Sequence, residues 1–310
     1  MKISIIGAGN VGSTIASTVA QKNFAHEIVL LDVKEGLAEG KALDIWQTSS
    51  VAGFSTHLTG VCNDYSKTAD SDIAVITSGL PRKPGMKRED LLKTNGHIVK
   101  EATENIMYYS PNAIVIVISN PIDPMTYLAA KTAGIDRHRI FGMAGILDSA
   151  RFRAFIAKEL KVSPMSVKAI VMGSHGAGLV PFPEYTTVGG IPVTQLINRK
   201  RLGEIIKRTR HGGGEIVSLM GTSGFYAPGA ATAQMVESIA MNQNRMVPVS
   251  TLLNGEYGLY NIVLGVPVIL GNQGIHKIME VELQEDTRKA LYKSAENIEK
   301  SIKEIETLGF

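Results

Sequence analysis

The chain has 310 residues, of which 44% are hydrophobic and 20% are charged, and its formal net charge is +3. These values indicate a globular protein of one large or two ordinary domains and exclude a mainly disordered chain. The small net charge and the 6% aromatic content argue against nucleic-acid binding. One cysteine, Cys62, excludes an internal disulfide, and no cluster of cysteine and histidine has the spacing of a zinc site, so no metal is expected.

The sequence also carries no signal for a membrane or an export pathway. Its longest purely apolar run, residues 113–118, is far shorter than the ~20 residues that span a bilayer. The apolar stretch after Lys2 is interrupted by glycine too early to form the core of a signal peptide. We therefore expect a soluble, cytoplasmic protein without a membrane partner.

Four short apolar runs predict strands in the N-terminal half, at residues 2–6, 27–32, 72–79 and 113–120. Each run is continuously apolar, as expected for strands that are buried on both faces. Helical patterns at residues 13–22, 36–47 and 90–109 fill the intervals, and this alternation implies parallel pairing through crossover helices. The prediction is an α/β domain, residues 1–145, built on a doubly wound parallel sheet of the Rossmann type.

After about residue 145 the pattern loosens, which predicts a second, mixed α+β domain at residues 146–310. Helices are predicted at residues 149–159, 193–209 and 284–307, and a strand at residues 169–176. The glycine-rich stretch 255–274 suggests short antiparallel strands. Three consecutive glycines at residues 212–214 weaken helix formation by about 1 kcal/mol each, and we interpret them as a hinge or kink near the substrate.

The first predicted strand runs into a GxGxxG sequence and then into a helix. The three glycines permit a tight turn, a close approach of pyrophosphate, and close packing of helix on strand. The uncapped start of a helix attracts an anion. Asp32, at the end of the second strand, can bind a ribose diol and would repel a 2′-phosphate, so NAD is favoured over NADP. The predicted cofactor contacts are Gly7, Ala8, Gly9, Asn10, Val11, Gly12 and Asp32. The alternative is a structural glycine turn.

Four further segments hold polar residues that a plain core or surface would not need. Residues 79–88 carry four cations among glycines and prolines, as a mobile lid over an anionic ligand does, or as a solvated basic loop does. Asn120 follows the fourth strand, where ligands of open α/β sheets bind, although it is also an ordinary turn former. Asp148 and Arg151 have the spacing of a helical ion pair. His175 lies between a serine and a glycine after a strand, where a structural hydrogen bond is an alternative role.

Taken together, these residue types meet the needs of NAD-linked oxidation of a hydroxy acid. A histidine accepts the hydroxyl proton near neutral pH. A carboxylate orients the imidazole and favours its cation, and an arginine binds the substrate carboxylate with two parallel hydrogen bonds. A further donor polarises the carbonyl group, where charge changes during the reaction.

The motifs GAGNVG, LPRKPGMKRED, ISNPID, LDSARFR and GSHGAGLVP, with Asp32, resemble the lactate/malate dehydrogenase family over essentially the whole chain, and most of all its malate-type members. The resemblance implies that His175 accepts and donates the proton and that Asp148 orients it. It implies substrate contacts from Arg151, Arg88 and Asn120. It also implies cofactor contacts from Asn95, Ile118, Ser119 and Asn120, and a homodimer or homotetramer.

The choice between malate and lactate depends on Arg82, because malate-type members of the family carry arginine here and lactate-type members an uncharged residue. The second carboxylate of oxaloacetate would pair with Arg82, whereas pyruvate would leave a buried guanidinium unpaired at a cost of about 3–5 kcal/mol. The expected reaction is the reversible oxidation of (S)-malate to oxaloacetate, with hydride passing to NAD and the proton to His175. A solvent-facing Arg82, a dehydrogenase of lactate or another 2-hydroxy acid, and a non-catalytic NAD-binding module remain alternatives.

Overall fold

The computed structural model describes residues 1–80, 88–176 and 178–310, with only the backbone at residue 88. In the N-terminal half of these residues, strands alternate with helices. The elements are β1 Lys2–Ile6, α1 Asn10–Gln21, β2 Glu27–Asp32, α2 Leu37–Gln47, α3 Ser49–Ala52, β3 His57–Cys62, β4 Ile73–Ile76, α4 Arg88–Tyr109, β5 Ile114–Val117, α5 Ile122–Ala133 and β6 Ile140–Gly142. The strands pair in parallel in the order β3-β2-β1-β4-β5-β6. This is the predicted doubly wound sheet, and the fold prediction is confirmed.

The continuously apolar strands are explained by two hydrophobic clusters, one on each face of this sheet. In β4, Ile73 and Val75 pack into the cluster that contains Ile15 of α1. Their neighbours Ala74 and Ile76 pack into the cluster on the other face, with residues of α4 and α5. Successive side chains of a strand point to opposite faces, so a strand covered on both sides is mainly apolar. The buried polar residue of β1, Ser4, has its hydroxyl paired with that of Ser71.

Two strands of the parallel sheet were not predicted from the sequence. β3 (HLTGVC) contains histidine, threonine and glycine and is only partly buried, because it pairs with β2 alone at the edge of the sheet. β6 has three residues, too few to show a pattern. The predictions for β1 and β2 match the observed bounds, and those for β4 and β5 were too long at both ends.

The C-terminal half is mixed, as predicted. Its elements are α6 Gly145–Leu160, β7 Val167–Lys168, β8 Val171–Gly173, β9 Leu179–Pro181, β10 Thr187–Val188, β11 Ile191–Pro192, α7 Val193–Leu196, α8 Arg199–Met220, α9 Tyr226–Ala240, β12 Arg245–Asn254, β13 Tyr260–Gly271, β14 Gly274–Ile278 and α10 Glu285–Thr307. β12, β13, β8 and β9 form an antiparallel continuation of the sheet, with β14 beside β13. Ser250 of β12 pairs with Gly142 of β6, so one sheet runs through both halves. The domain boundary at residues 145/146 stays a prediction.

Two details of the C-terminal half differ from expectation. The stretch 255–274 does not form several short strands, because most of it belongs to the long strand β13, whose partner β12 was not predicted. The helix predicted at residues 193–209 divides into α7 and α8, since Asn198 caps α8 by accepting a hydrogen bond from the N–H of Arg201 at 2.9 Å. The glycine run lies inside α8. Among the described residues, no helix is long and apolar enough to cross a membrane.

Candidate active site

The dinucleotide loop, defined here as residues 7–12, joins β1 to α1 at the carboxyl edge of the sheet. Gly7 has a φ of +109°, a conformation that favours glycine. A Cβ atom at Gly12 would lie 1.9 Å from the carbonyl oxygen of Gly7, so helix and loop approach closely. A Cβ atom at Gly9 would meet nothing within 4 Å. The three glycines therefore have the turn, packing and open-space roles that the sequence predicts.

The loop and the adjoining strand end fit a dinucleotide. α1 begins after Gly9 without a side-chain cap, so its first N–H groups have no helical partner and leave an anion site next to open space. Asn10 is exposed and Val11 is half-buried at this helix start. At the end of β2, Asp32 accepts hydrogen bonds from the N–H of Ala8 at 2.7 Å and of Lys34 at 3.0 Å. The carboxylate is thus fixed beside the loop, where a ribose would lie.

Lys41 of α2 contacts the same loop and was missed by the sequence reasoning. Its Nζ donates to the carbonyl oxygen of Ala8 at 2.8 Å and lies 3.3 Å from the hydroxyl of Ser13. No signal in the sequence marked this residue, because its partner Ala8 lies 33 residues away. The contact follows from the packing of α2, whose residues Ala38 and Ala42 are buried, against the loop.

A second group of predicted contacts follows β5. The N–H of Ile118 donates to the carbonyl of Ile76 at 2.8 Å, and the hydroxyl of Ser119 donates to the carbonyl of Ser78. Both residues are buried, whereas Asn120 is exposed, and its side chain has no hydrogen-bond partner within residues 1–80, 88–176 and 178–310. Asn120 is therefore the member of this group whose side chain is available to a ligand.

Asn95 of α4 is only 1% exposed, and its amide is occupied by backbone groups. Its Oδ1 accepts from the N–H of Leu80 at 2.8 Å, while its Nδ2 donates to the carbonyls of Leu80 at 3.2 Å and Asn120 at 2.7 Å. These bonds join the segment after β4 to the segment after β5. They give Asn95 a positioning role, and the direct cofactor contact stays a prediction.

The structure brings His175, Asp148 and Arg151 into one hydrogen-bonded group. His175, in the loop after β8, has its Nδ1 2.9 Å from Oδ2 of Asp148. The other carboxylate oxygen of Asp148 accepts from Nη1 of Arg151 at 3.1 Å. The side chains of Asp148 and Arg151 are only 2% and 16% exposed, so this is not the solvated helical ion pair that the spacing also allowed. One buried carboxylate holds the predicted base and the predicted substrate clamp.

The charge of Asp148 determines how His175 titrates. Burial lowers the pKa of His175, but the charge and hydrogen bond of Asp148, with a contribution from buried Asp123, raise it above its ordinary value in total. In the neutral ring, Nδ1 carries the proton and donates it in the hydrogen bond to Asp148, so the lone pair lies on Nε2. Since Nε2 has no partner among the described residues, it is free to exchange a proton with a substrate.

Arg151 retains donors for a ligand. Its Nε is buried without a hydrogen-bond partner in the described part of the chain. α8 passes this side chain at the glycine run, where a Cβ atom at Gly212 would lie 3.3 Å from Cδ of Arg151 and one at Gly213 3.8 Å from Nη2. The glycines leave room beside the guanidinium, which is a packing reason for a run interpreted from the sequence as a hinge.

Asp123 is a second buried carboxylate of the cluster, and the sequence analysis did not select it. It lies in the first turn of α5, is 2% exposed, and accepts hydrogen bonds from the N–H of His175 at 2.9 Å and from the hydroxyl of Ser250. Burial raises its pKa, and these two hydrogen bonds oppose the rise. Its position directly before Pro124 is equally that of a turn residue, so only the fold reveals its contact with the histidine loop.

The two remaining predicted substrate residues fall outside this description. Arg82 lies in the segment 81–87, and the side chain of Arg88 is likewise outside the described residues, so their roles stay predictions. In the described part of the chain, no group of three or more His, Cys, Asp or Glu residues is arranged to hold a metal ion.

Comparison with known proteins gives the chain its family. Residues 1–142 match the lactate/malate dehydrogenase NAD-binding domain, and residues 146–308 match the lactate/malate dehydrogenase alpha/beta C-terminal domain. The chain belongs to the lactate/malate dehydrogenase family. The resemblance stated from the motifs and the predicted use of NAD are therefore confirmed.

Individual members of the family match over nearly their full length. The malate dehydrogenase of Cytophaga hutchinsonii is 53% identical over 298 residues, 96% of each chain. The solved malate dehydrogenase from Salinibacter ruber has a TM-score of 0.95 at 48% identity, covering 99% of this chain and 98% of that one. The lactate dehydrogenase from Cryptosporidium parvum, solved with lactic acid and nicotinamide adenine dinucleotide, has a TM-score of 0.94 at 36% identity, covering 98% of each. The fold is shared by both types, and the two relatives at about 50% identity are malate dehydrogenases.

Proposed function

We propose that this family member is an NAD-dependent malate dehydrogenase that oxidises (S)-malate reversibly to oxaloacetate. The observation that carries the proposal is that one buried carboxylate, Asp148, holds both a histidine with a free Nε2 and an arginine with a free Nε. When bound, NAD supplies the hydride acceptor, and its reduced form supplies the hydride. The open side of the dinucleotide loop and Asp32 bind it.

His175 moves the proton in both directions. During oxidation, neutral His175 accepts the hydroxyl proton of malate at Nε2 while the hydride leaves C2, so the carbon loses two electrons and the product is a ketone. Asp148 stabilises the imidazolium that results. During reduction, the imidazolium returns the proton to the oxygen that becomes the hydroxyl group. A pKa above the ordinary value suits this step, because the protonated ring must be populated for reduction.

The proposed substrate contacts come from three arginines and one asparagine. Arg151 binds the C1 carboxylate, for which its free donors and its fixed position on α6 are suited. Asn120 contacts the substrate and the nicotinamide side of the cofactor, and Arg88 polarises the carbonyl group. Arg82 pairs with the second carboxylate, which malate and oxaloacetate have and lactate and pyruvate lack. The malate dehydrogenases that match this chain at 53% and 48% identity support this last assignment.

The test compares the rates of reduction of oxaloacetate and of pyruvate, each monitored through the loss of NADH absorbance. The wild type should prefer oxaloacetate, and Arg82→Gln should reduce the ratio of kcat/KM for the two substrates by about 10²–10³, since an unpaired buried charge costs about 3–5 kcal/mol. Arg82→Lys keeps the charge and should lose less. Equal use of pyruvate by the wild type would indicate a lactate-type enzyme. Binding of NADH without turnover of any 2-keto acid would indicate a non-catalytic NAD-binding module.

The proposed assembly is a homodimer or homotetramer in the cytoplasm. Apolar side chains are exposed on neighbouring elements, with Leu43 and Trp46 of α2 exposed by 54% and 45% and Tyr226 of α9 by 72%. Such a patch on a protein of this size marks a contact surface. Cys62 is a free cysteine, which fits a reducing compartment. Sedimentation of the purified chain tests the assembly, a monomer at micromolar concentration contradicting it, and cell fractionation tests the location.

A further inference from the structure

Lys41 joins α2 to the carbonyl side of the dinucleotide loop. Its Nζ donates to the carbonyl oxygen of Ala8 at 2.8 Å and lies 3.3 Å from the hydroxyl oxygen of Ser13. The hydroxyl of Ser13 in turn donates to the carbonyl oxygen of Gly9 at 2.8 Å. The ammonium group therefore holds the carbonyl of Ala8 directly, while the carbonyl of Gly9 accepts from both the N–H (3.0 Å) and the hydroxyl of Ser13 at the start of α1.

Asp32 holds the same segment through an amide hydrogen. The N–H of Ala8 donates to Oδ2 of Asp32 at 2.7 Å, and Ala8 itself is fully buried. Both polar groups of this residue thus have an ionised partner, a carboxylate for the N–H and an ammonium for the carbonyl. A hydrogen bond to a charged group contributes more than one between neutral groups, so the orientation of the Ala8 backbone is strongly fixed.

This orientation decides which side of the loop faces an anion. Peptide carbonyls repel a pyrophosphate and N–H groups attract it, so a dinucleotide loop binds only if its carbonyls point into the protein. At Ala8 and Gly9 the carbonyls point to Lys41 and Ser13, while the open space beside Gly9 adjoins the uncapped start of α1. The ammonium also places a positive charge on the protein side of that anion site.

The charge balance around the loop supports the same role. Burial lowers the pKa of Lys41, and the charge of Asp32 opposes this effect. Asp32, which would bind the ribose, brings a negative charge close to a site for a negatively charged cofactor. Lys41 offsets that charge from the opposite side of the Ala8 backbone.

We propose that Lys41 is a positioning residue for the cofactor: it turns the carbonyl of Ala8 inward and provides the positive charge behind the pyrophosphate site. The proposal rests on the proposed function only in that the chain binds a dinucleotide, and it applies to any ligand that carries the same diphosphate. Lys41 contributes to binding of the diphosphate and not to binding of the adenosine.

The experiment compares three variants of the full chain by calorimetric or fluorescence titration without substrate. Lys41→Met keeps the aliphatic stem and removes the charge, Lys41→Arg restores a cation, and Lys277→Met removes the charge of an exposed lysine on β14 as a control. NADH and ADP-ribose should bind Lys41→Met about ten-fold or more weakly, the loss expected for a charged hydrogen bond. Adenosine should bind it as it binds the wild type. Lys41→Arg should recover most of the affinity, and Lys277→Met should show the wild-type affinity.

Two further readouts separate positioning from folding. At saturating NADH, kcat of Lys41→Met should stay close to the wild-type value while KM for NADH rises, and the loss of NADH affinity with added salt should be shallower than in the wild type. Equal weakening of adenosine and ADP-ribose, or unchanged ADP-ribose affinity, would overturn the proposal. A wild type that binds NADH but does not turn over malate would reject the proposed reaction and leave this inference standing.

Discussion

The dinucleotide loop and the His175 cluster both prepare the protein for negatively charged ligands, but they do so with different groups. At the loop, the donors are backbone N–H groups at the start of α1, left open because Gly9 carries no side chain. At the cluster, the donors and acceptors are the side chains of His175, Asp148 and Arg151, which come from two elements and are largely buried. At the loop, backbone donors face the ligand and the charged side chains of Asp32 and Lys41 hold that backbone, whereas at the cluster the charged side chains face the ligand themselves.

This difference determines which substitutions each site tolerates. At the glycines of the loop, an added atom matters more than its chemistry, because the space beside them is occupied either by the protein or by the ligand. In the cluster, isosteric changes that alter charge or protonation should be the most damaging, since one buried carboxylate serves two partners. The predictions below test this contrast in order of expected effect.

The greatest effect is expected from His175→Asn, which keeps the polarity of the side chain and removes the group that titrates. Turnover should fall by about 10²–10⁴, the range that general acid–base catalysis contributes. The affinity for NADH should be nearly unchanged, because His175 has no contact with the dinucleotide loop. Stopped-flow or steady-state turnover and a binding titration measure the two. Turnover near the wild-type level would remove His175 from the proton-transfer role.

The next comparison separates the two neighbouring glycines of the loop. In Gly12→Ala the new Cβ would lie 1.9 Å from a backbone oxygen, so loop and helix must separate, and we expect a loss of about 1–3 kcal/mol in the free energy of unfolding. In Gly9→Ala the Cβ enters open space, and stability should change by less than about 0.5 kcal/mol.

Cofactor affinity should order these two variants differently from stability. Gly9→Ala should weaken NADH binding by about ten-fold or more, equivalent to ~1.4 kcal/mol, because the methyl group stands where the cofactor must approach. Chemical denaturation and NADH titration of both variants give the two measurements. If Gly9→Ala binds NADH like the wild type, the open side of the loop is not the pyrophosphate site.

The same contrast explains what the sequence could predict. The loop is local: strand, glycines and helix follow one another within residues 2–21, so spacing alone indicated its geometry and the role of each glycine. Asp32 was found because the end of a buried strand is also a local feature. Lys41 was missed because its partner, Ala8, is 33 residues away and no local pattern links the two.

The His175 cluster could be predicted only as a set of residue types. Its members come from α6 and from the loop after β8, and that they share one carboxylate follows from the packing of these elements. Asp123 shows the limit clearly, since its bond to the N–H of His175 joins residues 52 apart, and an aspartate before a proline has an ordinary local explanation. The unpredicted strands β3 and β6 have the same cause, because short or edge strands are stabilised by their partners rather than by their own pattern. The ten-residue strand β12 is mostly buried, but Pro248, Ser250 and Thr251 interrupt its apolar pattern.

A third prediction tests whether the charge of Asp123, which contacts the backbone N–H of His175 and not its ring, affects the pKa of the imidazole. The charge of Asp123 raises the pKa of His175, as does Asp148, while Arg151 lowers it. Asp123→Asn should therefore lower that pKa. The acid limb of the malate oxidation profile and the alkaline limb of the oxaloacetate reduction profile should both move to lower pH, because each reports the same imidazole. Turnover should fall as well, since a buried hydrogen-bond partner costs about 1–3 kcal/mol when lost.

The pH profiles of kcat/KM in both directions provide the measurement. If turnover falls while both limbs stay at the wild-type pH, Asp123 supports the loop through its hydrogen bonds and contributes no charge effect on His175. A movement to higher pH would contradict the sign of the interaction.

The smallest expected effect concerns the glycine run at residues 212–214. As at the dinucleotide loop, the absence of side chains matters here, but the space that it leaves is beside a charged side chain, that of Arg151. In Gly212→Ala the Cβ would lie 3.3 Å from Cδ of Arg151, a tight contact that a flexible side chain relieves by a small shift. We expect KM for oxaloacetate to rise about three- to ten-fold, which is ~0.7–1.4 kcal/mol, with NADH affinity unchanged.

Gly214→Ala is the matched control, since its Cβ meets nothing within 4 Å on an exposed position of α8. It should raise stability by about 0.5–1 kcal/mol and leave KM unchanged, because alanine replaces glycine inside a helix. If Gly214→Ala raises KM as much as Gly212→Ala does, the run acts through backbone flexibility, as a hinge, and not through the space it leaves beside Arg151.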